Sequence, residues 1–512
     1  MATPQEKLAA SLARLKELQR DGRRVFRSQE LTRTHRERLV RQGFLSDVMR
    51  GWLISSATGT HPGDSTPWYA SFWEFCSLYC QERFGDRWHL SPEQSLLLHA
   101  ENGTIPQQVI VHSPMGGNNT IDLPFGTSLY DLKQPQMPTA ADLTTWNGLP
   151  VYTPAAALIK VPPPFFRRHP LEAQLVLAEI SEPSGLLARL LDGGHSRVAG
   201  RLAGALRRLG RDEIADEILR TMRGAGYDVR EEDPFAADRP LRIIRTTSAP
   251  IVGRLQVMWE DCREAIIEVF PEPPGLPDDQ PAYLQFVDEI YQSDAYHSLS
   301  IEGYQVTREL IEKVALGDWD PESHSADRNA RDALAARGYW EAFQLVKEAV
   351  ARIIAGNDPG DLVRSAHRDW YRAMFQPCVL AGLIPPSALA GYRNHPVFLR
   401  GSRHVPPRSE VVPDAMSAFF NLLAGEREPS VRGVLGHWLF GYVHPYPDGN
   451  GRLARFIMNA ALASGGYPWT VIRVEDRGAY LSALESASVD LDPRPFASFI
   501  AERVRWSLEQ VE

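Results

Sequence analysis

The segment from Ser430 to Gly466 places a short polar loop between two apolar runs, each long enough for a helix. The loop begins HPYPDGNGR at His444, and its prolines and glycines end one helix and allow a tight turn before the next. Glycines tolerate positive φ and close backbone approach, so successive N–H groups can face an anion at the second helix N-terminus. The segment therefore predicts a helix, a phosphate-binding loop and a second helix.

The residue types in this loop predict transfer of a phosphate-linked group. Asp448 is a hard oxygen ligand for a Mg²⁺ that bridges nucleotide phosphates. An unperturbed histidine has a pKa of about 6.5, so His444 is expected to take a proton from an attacking hydroxyl. Two arginines three residues apart on the first helical turn reach the same bound anion. The predicted phosphate-binding residues are Gly449, Asn450, Gly451, Arg452 and Arg455.

Together these residues resemble the motif of the Fic family, HxFx(D/E)GNGRxxR, with Tyr446 where phenylalanine is usual. The resemblance implies a mostly α-helical domain that transfers AMP from ATP, with Mg²⁺, to a Tyr, Thr or Ser hydroxyl of a target protein. The Tyr446 ring is expected to pack under the loop, leaving a hydroxyl that needs a partner. Softer matches run from about Tyr291 to Val504 and include Tyr480, which is expected to be structural.

A second segment, Gly391-Tyr-Arg393 followed by VFLRGSRHVPP, resembles the flap hairpin of the same family. The resemblance implies an edge strand that aligns the backbone of the target protein by β-augmentation. An ordinary surface hairpin is the alternative. The predicted target-docking residues are Val397, Phe398, Leu399, His404, Val405 and Pro406.

A third segment, SLSIEG from Ser298 to Gly303, resembles the inhibitory motif (S/T)xxxE(G/N) of Fic proteins that hold themselves inactive. The resemblance implies that Glu302 pairs with Arg455. The γ-phosphate of ATP would then have to displace this carboxylate to use the same guanidinium.

The first fifty residues carry twelve Lys and Arg against six Asp and Glu, whereas the whole chain has a net charge of −9. The segment THRERLVRQGFLSDVMRGWLIS resembles the winged-helix start of abortive-infection type antitoxins. The resemblance implies DNA binding through phosphate contacts. An exposed basic helix or a protein-docking module is the alternative. The predicted DNA contacts are Arg33, Arg36, Arg38 and Arg41.

A chain of 512 residues, 43% hydrophobic and 23% charged, is typical of a folded protein with about three domains. The expected domains are a winged-helix-like α/β domain over 1–115, a mixed β then helical region over 116–240, and the Fic domain with its inhibitory helix over 241–512. Apolar spacing predicts helices over 5–20 and about 32–42, a β-wing over 44–55, strands and turns over 56–165, and two amphipathic helices near 195–226. The stretch 233–240 is expected to be a linker. Four scattered cysteines and no long apolar stretch indicate a cytoplasmic protein without a membrane span. A homodimer is a further expectation.

Two classes of function compete for the whole chain. One is an adenylylating enzyme with a DNA-binding or target-docking N-terminal region, and the other is a transcriptional regulator whose Fic half is a sensor. A third hypothesis keeps the fold but uses another donor, or removes AMP with water. The intact catalytic motif favours the adenylylating enzyme, and ATP is favoured because Arg455 and the glutamate motif suit a γ-phosphate.

Overall fold

The computed structural model describes residues 3–56, 64–235, 249–316 and 331–510. The chain divides into two compact units. The first comprises Met1–Pro250 together with Phe398–Val405, and the second comprises Ile251–Val397 and Pro406–Glu512. The division after Pro250 lies close to the expected start of the last domain at 241. Most of the predicted linker, from 236 onward, lies outside the described residues.

The first unit contains ten described helices and nine strands. The helices are α1 (Pro4–Leu18), α2 (Arg33–Arg41), α3 (Thr66–Phe84), α4 (Pro92–His99), α5 (Pro154–Lys160), α6 (Phe165–Arg168), α7 (Pro170–Ala178), α8 (Ser184–Asp192), α9 (Ser196–Arg208) and α10 (Asp212–Gly224). The strands are β1 (Val25–Arg27), β2 (Leu45–Met49), β3 (Trp52–Ser55), β4 (His89–Leu90), β5 (Gln108–Ser113), β6 (Asn119–Asp122), β7 (Ser128–Lys133), β8 (Leu143–Trp146) and β9 (Leu149–Tyr152).

The N-terminal elements form an antiparallel sheet in the order β1-β3-β2, with α1 and α2 against it. Successive side chains of a strand point to opposite faces. On β3, Leu53 therefore joins a small core with α1 and α2, whereas Trp52 and Ile54 join the larger core of the unit. The predicted first helix, second helix and following strand pair are confirmed.

A mixed sheet in the order β4-β5-β7-β6 follows, with β5 and β7 parallel and the other pairs antiparallel. The boundary expected at 115 falls inside this sheet, between β5 and β6, so the structure shows no division there. The larger core also runs on from β3 to Leu149 and Val151. The predicted helices near 195–226 are confirmed as α9 and α10.

The prediction of strands and turns for 56–165 missed the long helix α3. Its buried side chains cover a broad face and include Trp68, Phe72, Phe75 and Cys80, while further apolar residues lie elsewhere around the helix axis. A helix that is apolar on every side gives no one-sided pattern in the sequence, and periodicity alone cannot distinguish it from buried strands.

The second unit contains ten α-helices in its described part, together with short 3₁₀ turns at Pro386–Leu389, Ser409–Val411 and Val474–Asp476 and a π-helical turn at Ser486–Asp490. The helices are α11 (Pro250–Val269), α12 (Gln280–Ile301), α13 (Arg308–Ala315), α14 (Arg331–Ile354), α15 (Pro359–Leu380), α16 (Val412–Gly425), α17 (Pro429–Val443), α18 (Asn450–Ala463), α19 (Arg477–Glu485) and α20 (Arg494–Glu509).

Helices α17 and α18 form the centre of this unit and pack against each other. Almost every residue of both helices is buried, as expected for helices that are apolar on all sides. Gly433 permits close packing, because a methyl group there would lie 2.8 Å from the Leu462 side chain. The loop between the two helices is thereby held in a fixed position.

No helix in the described ranges is both long and apolar enough to cross a membrane.

Candidate active site

The loop between α17 and α18 begins where His444 takes a left-handed backbone conformation, with φ 50°. Pro445 follows and cannot continue the helix. The loop ends at Gly449, also left-handed with φ 78°, which precedes the first residue of α18. A methyl group on Gly449 would lie 2.7 Å from the Phe375 ring, so both the conformation and the space require glycine.

Asn450 closes this loop with its side chain. Its Oδ1 accepts a hydrogen bond of 2.9 Å from the Tyr446 N–H, and its Nδ2 donates one of 2.8 Å to the Tyr446 carbonyl. Asn450 was predicted to bind phosphate through its backbone N–H, and the structure shows in addition that its side chain holds the Tyr446 backbone. A planar amide pairs naturally with one peptide group, donor to acceptor and acceptor to donor. The backbone N–H of Asn450 and the second N–H of its Nδ2 take no part in this pair.

The first turn of α18 has no side chain capping it. The first N–H groups of a helix have no partner within the helix, so they and the helix dipole favour an anion. A methyl group on Gly451 would lie 2.3 Å from Oε1 of Glu302. The Glu302 carboxylate therefore lies directly against the backbone of the predicted phosphate-binding turn.

Glu302 follows the last residue of α12, and Gly303, with φ 89°, ends that helix. Oε1 of Glu302 accepts a hydrogen bond of 2.7 Å from Nη2 of Arg455. Arg455 also donates through Nε to Oγ of Ser298 at 2.8 Å, and through Nη2 to the Ser298 carbonyl at 3.1 Å. The structure thus brings together Ser298, Glu302 and Arg455, as the sequence motif predicted.

Both members of this pair are ionised near neutral pH. Burial raises the pKa of Glu302, but the charges of Arg455 and Arg452 outweigh that effect, and the pKa is lowered from its usual value. Burial likewise opposes the charge of Arg455, but the carboxylate outweighs it and the pKa of Arg455 is raised. The contact is a charge-assisted hydrogen bond with a buried guanidinium.

Arg452 is 1% exposed and lies between two aromatic rings. Its Cζ is 5.1 Å from the ring centres of both Tyr304 and Phe375, a cation–π arrangement. Nη2 is 3.6 Å from Oδ1 of Asp448. Within the described part of the chain, Nε and Nη2 of Arg452 have no hydrogen-bond acceptor. A buried guanidinium with unused donors is suited to a polyanion such as a phosphate.

The His444 ring is fixed by the end of its own helix. Nδ1 lies 3.3 Å from the Gly441 carbonyl, and since a carbonyl can only accept, Nδ1 carries the proton and Nε2 has a free lone pair. Burial lowers the pKa of His444 to about 4, with the Gly441 carbonyl opposing this and Arg393 adding to it. The ring is therefore neutral at pH 7 and can accept a proton.

Asp448 is the exposed carboxylate of the loop, with a side-chain exposure of 59%. Its Oδ1 accepts a hydrogen bond of 2.6 Å from the Gly449 N–H. Among the described residues no group of three His, Cys, Asp or Glu side chains is placed to hold a metal. Mg²⁺ commonly binds through one or two carboxylates together with substrate phosphates. Asp448 fits such a site when a nucleotide supplies the other ligands.

The Tyr446 ring is buried and stacks on Tyr371, with ring centres 3.9 Å apart and planes 12° apart. This agrees with the predicted packing role. The hydroxyl group has no hydrogen-bond partner among the described residues. Burial raises the pKa of Tyr446, so the hydroxyl stays protonated.

The segment predicted to be the flap has no strand anywhere in residues 391–408. It makes a turn in which the Ser402 N–H donates to the Leu399 carbonyl. The predicted hairpin was therefore wrong in its secondary structure. Pro396, Pro406 and Pro407 lack N–H groups and cannot donate to a strand ladder.

Eight residues of this segment, Phe398–Val405, belong to the first unit. The Arg403 carbonyl accepts a hydrogen bond of 2.9 Å from the Ile105 N–H, and Val405 packs on the larger core of that unit. No local feature of the sequence indicates this placement, because the partners Ile105 and Arg403 lie about 300 residues apart along the chain.

The predicted DNA-contact arginines do not share one environment. Arg38 donates to the Lys7 carbonyl and to Oγ of Ser11 on α1, so it faces the protein. Helical spacing turns Nη1 of Arg38 toward α1, and a DNA contact by this residue stays a prediction. Arg36 and Arg41 line one groove beside α2, and Arg33 pairs with Glu37 at 2.7 Å.

Comparison with known families identifies the centre of the second unit. Residues 360–462, which include the whole loop from His444 to Arg455, match the model of the Fic/DOC family. The chain contains a Fic domain. This domain contains the left-handed His444, the uncapped N-terminus of α18, and both Arg452 and Arg455.

Relatives of this Fic domain include proteins named as adenylyltransferases. A protein adenylyltransferase Fic of Nematostella vectensis is 32% identical over 224 residues, 42% of this chain and 47% of the relative. A probable protein adenylyltransferase of Aquifex aeolicus is 36% identical over 207 residues, 40% of this chain and 57% of the relative. The chain thus spans about half the length of these relatives.

A solved structure of Fic-1 from C. elegans covers 66% of this chain and 95% of its own, at 16% identity and a TM-score of 0.38. That score is too low to establish a shared fold over the matched length.

Proposed function

We propose that this chain transfers AMP from ATP to a hydroxyl group of a target protein, and that Glu302 keeps it in a state of low activity. The observation that carries the proposal is the position of the Glu302 carboxylate. It lies 2.7 Å from Nη2 of Arg455 and against Gly451 at the N-terminus of α18. A protein that binds phosphates at this turn must first move that carboxylate.

The residues of the loop have distinct roles in this proposal. The N–H groups of α18 and the guanidinium groups of Arg452 and Arg455 hold the phosphates of ATP. Asp448 would hold a Mg²⁺ that neutralises phosphate charge in the transition state. Tyr304 and Phe375 keep Arg452 in place from both sides.

The transfer is an in-line displacement at the α-phosphorus. The hydroxyl oxygen of the target forms a bond to this phosphorus while the bond to the bridging oxygen of the β-phosphate breaks and pyrophosphate leaves. Nε2 of His444 receives the hydroxyl proton. The neutral ring and the free lone pair of Nε2 suit this step.

The donor is tested by mass spectrometry of the product. A Glu302 variant incubated with ATP and magnesium should add the mass of AMP to a Tyr, Thr or Ser residue. Parallel reactions with other nucleotides and with phosphate-linked donors provide the comparison. Addition of a different group, or only removal of AMP from a pre-modified protein, would overturn the assignment of ATP as donor and adenylyl transfer as reaction.

Asp448→Ala should lower transfer strongly in the same background because the metal loses its carboxylate ligand. The expected loss is about 10²-fold, the scale of a misplaced reacting group. Raising the magnesium concentration should restore part of the activity. Glu485→Ala on α19 is the control, and it should keep full activity. Transfer that persists in EDTA would contradict the role given to Asp448.

A second function, DNA binding by the first unit, is favoured by the arrangement of α1, α2 and the sheet β1-β3-β2, which is compatible with a winged helix. Arg36 and Arg41, with Val40 and Asp47, line a groove beside α2. The two arginine side chains are suited to phosphate contacts. They are accompanied by the carboxylates of Glu37 and Asp47, which favours modest affinity.

The full chain should bind duplex DNA at low salt, with an affinity that falls steeply as salt rises. Replacing Arg33, Arg36 and Arg41 together by alanine should weaken binding and lower the salt slope by about 0.9 for each lost phosphate contact. Arg14→Ala on α1, which pairs with Glu17, is the control. Unchanged binding in the triple variant, or no binding at low salt, would refute this function. The intact chain is used because the core of the first unit continues past residue 115.

A further inference from the structure

One residue outside the catalytic motif binds three consecutive carbonyl groups, at the end of α17 and the start of the loop. The backbone N–H of Arg393 donates to the Pro445 carbonyl at 2.8 Å. Its Nε donates to the His444 carbonyl at 2.8 Å, and its Nη2 donates to the Val443 carbonyl at 3.3 Å. The Arg393 side chain is only 3% exposed. Its hydrogen bonds therefore act on the backbone of the loop.

The other donors of this guanidinium are also used on carbonyl groups. Nη1 donates to the His395 carbonyl at 3.2 Å, and Nη2 also donates to the Pro407 carbonyl. Burial lowers the pKa of Arg393 to about 10, so the side chain stays charged at neutral pH. The last carbonyl groups of a helix have no partner within it, and a cation is favoured there. Arg393 thus caps the C-terminus of α17.

Arg393 binds the backbone at a residue with an unfavourable conformation. His444 has φ 50° and ψ 59°, a left-handed conformation that is costly for a residue with a Cβ. This conformation places Nδ1 at 3.3 Å from the Gly441 carbonyl and leaves Nε2 as the free nitrogen. If the His444 carbonyl lost its donor, the backbone could return to a commoner conformation, and the ring would turn with it.

We propose that Arg393 is the positioning residue of the catalytic loop. It holds the carbonyl groups of Val443, His444 and Pro445, so that the His444 ring keeps one tautomer and presents Nε2 to the substrate hydroxyl. The guanidinium has a second effect, because a positive charge near the ring disfavours a second proton on it. Arg393 does not contact the reacting atoms in this proposal, which rests on the proposed adenylyl transfer for its kinetic test.

The two effects are separated by two substitutions in a Glu302→Gly background. Arg393→Lys keeps the charge but loses the planar fork that reaches several carbonyls, and Arg393→Met loses both. Arg432→Lys is the matched control. Arg432 is also a buried arginine of the second unit, and it donates to the Leu423 carbonyl at 3.1 Å and to Oγ of Ser464 at 2.9 Å.

We expect Arg393→Lys to lower kcat by about 10²-fold, the scale of a misplacement of about 1 Å, while KM for ATP changes by less than about threefold. Arg393→Met should also move the acid limb of kcat/KM to higher pH, whereas Arg393→Lys should not. The charged groups that act on His444 are Arg393, Glu302 and Asp448, and Glu302 is absent from every variant compared. Arg432→Lys should lower the melting temperature without either change.

The inference is overturned if Arg393→Lys loses no more kcat than Arg432→Lys at equal folded fraction. It is also overturned if the acid limb of a folded Arg393→Met stays in place. ¹⁵N NMR of labelled histidine gives a readout that needs no activity. The His444 signal, assigned by its loss in His444→Ala, should show protonated Nδ1 in the parent and mixed tautomers in Arg393→Lys. If the parent transfers no AMP, the proposed function fails, and the tautomer comparison still decides the role of Arg393.

Discussion

Glu302→Gly should turn a protein of low activity into one that labels itself with AMP from ATP. In the structure the Glu302 carboxylate accepts a hydrogen bond from Arg455 and lies against Gly451. The phosphates of ATP are proposed to bind at the same two residues. A hydrogen bond to a charged group contributes about 1.5 to 3 kcal/mol, and a tenfold change corresponds to about 1.4 kcal/mol. The Glu302 side chain is 31% exposed, so solvent screening places the effect near the lower value. We therefore expect a gain of at least about tenfold.

The gain in activity should depend on Arg455, because the Glu302 carboxylate and the ATP phosphates are proposed to compete for its guanidinium. Glu302→Gly combined with Arg455→Ala should return to low activity, because the freed partner of the phosphate is gone. Glu302→Gln should give an intermediate gain, because the amide is uncharged but fills the same space. Glu289→Gln is the control on α12, where Glu289 accepts a hydrogen bond from Gln285 instead.

The measurement is incorporation of label from α-³²P-ATP at saturating ATP and magnesium, with the fold checked by circular dichroism. Equal labelling by wild type and Glu302→Gly would show that the carboxylate does not restrain the enzyme. A gain that survives Arg455→Ala would show that the carboxylate acts elsewhere than through this arginine.

Features of the sequence that act over a few residues predicted the structure well. Prolines and glycines at fixed positions set the turn at Gly449, and one-sided apolar patterns gave α1, α2, α9 and α10. The roles proposed for His444 and the two arginines rest on the same short segment. Local chemistry therefore accounted for the loop, although not for Asn450, whose amide closes the loop on Tyr446.

Contacts between distant segments were beyond the sequence. Glu302 and Arg455 are 153 residues apart, and only the resemblance to a family motif paired them. Arg393 carried no signal for its role, because its acceptors are backbone carbonyls whose positions depend on the folded chain. The flap was predicted from strand-like residues, but the prolines beside them and the pairing of Arg403 with Ile105 favour an irregular segment.

His444→Ala should abolish transfer in the Glu302→Gly enzyme while leaving ATP binding intact. The substitution removes the proposed proton acceptor but none of the proposed phosphate contacts at α18, Arg452 and Arg455. Loss of a general base typically costs about 10² to 10⁴ in rate. Isothermal titration should therefore give an ATP affinity within about threefold of the parent, with transfer near background. His195→Ala, an exposed histidine of the first unit, is the control and should keep full activity.

The pH dependence of the Glu302→Gly enzyme gives an independent check on His444. A base must be neutral to accept a proton, and the pKa of His444 is lowered to about 4, first by burial. The Glu302 carboxylate raises the pKa of His444, so removing it should not shift this pKa upward. Activity should thus stay level from neutral pH down to about pH 5 and fall as pH decreases through about 4. An acid limb near the ordinary histidine value of about 6.5 in the folded enzyme would mean that the ring is solvated. Full transfer activity in the His444→Ala variant would show that His444 is not the proton acceptor.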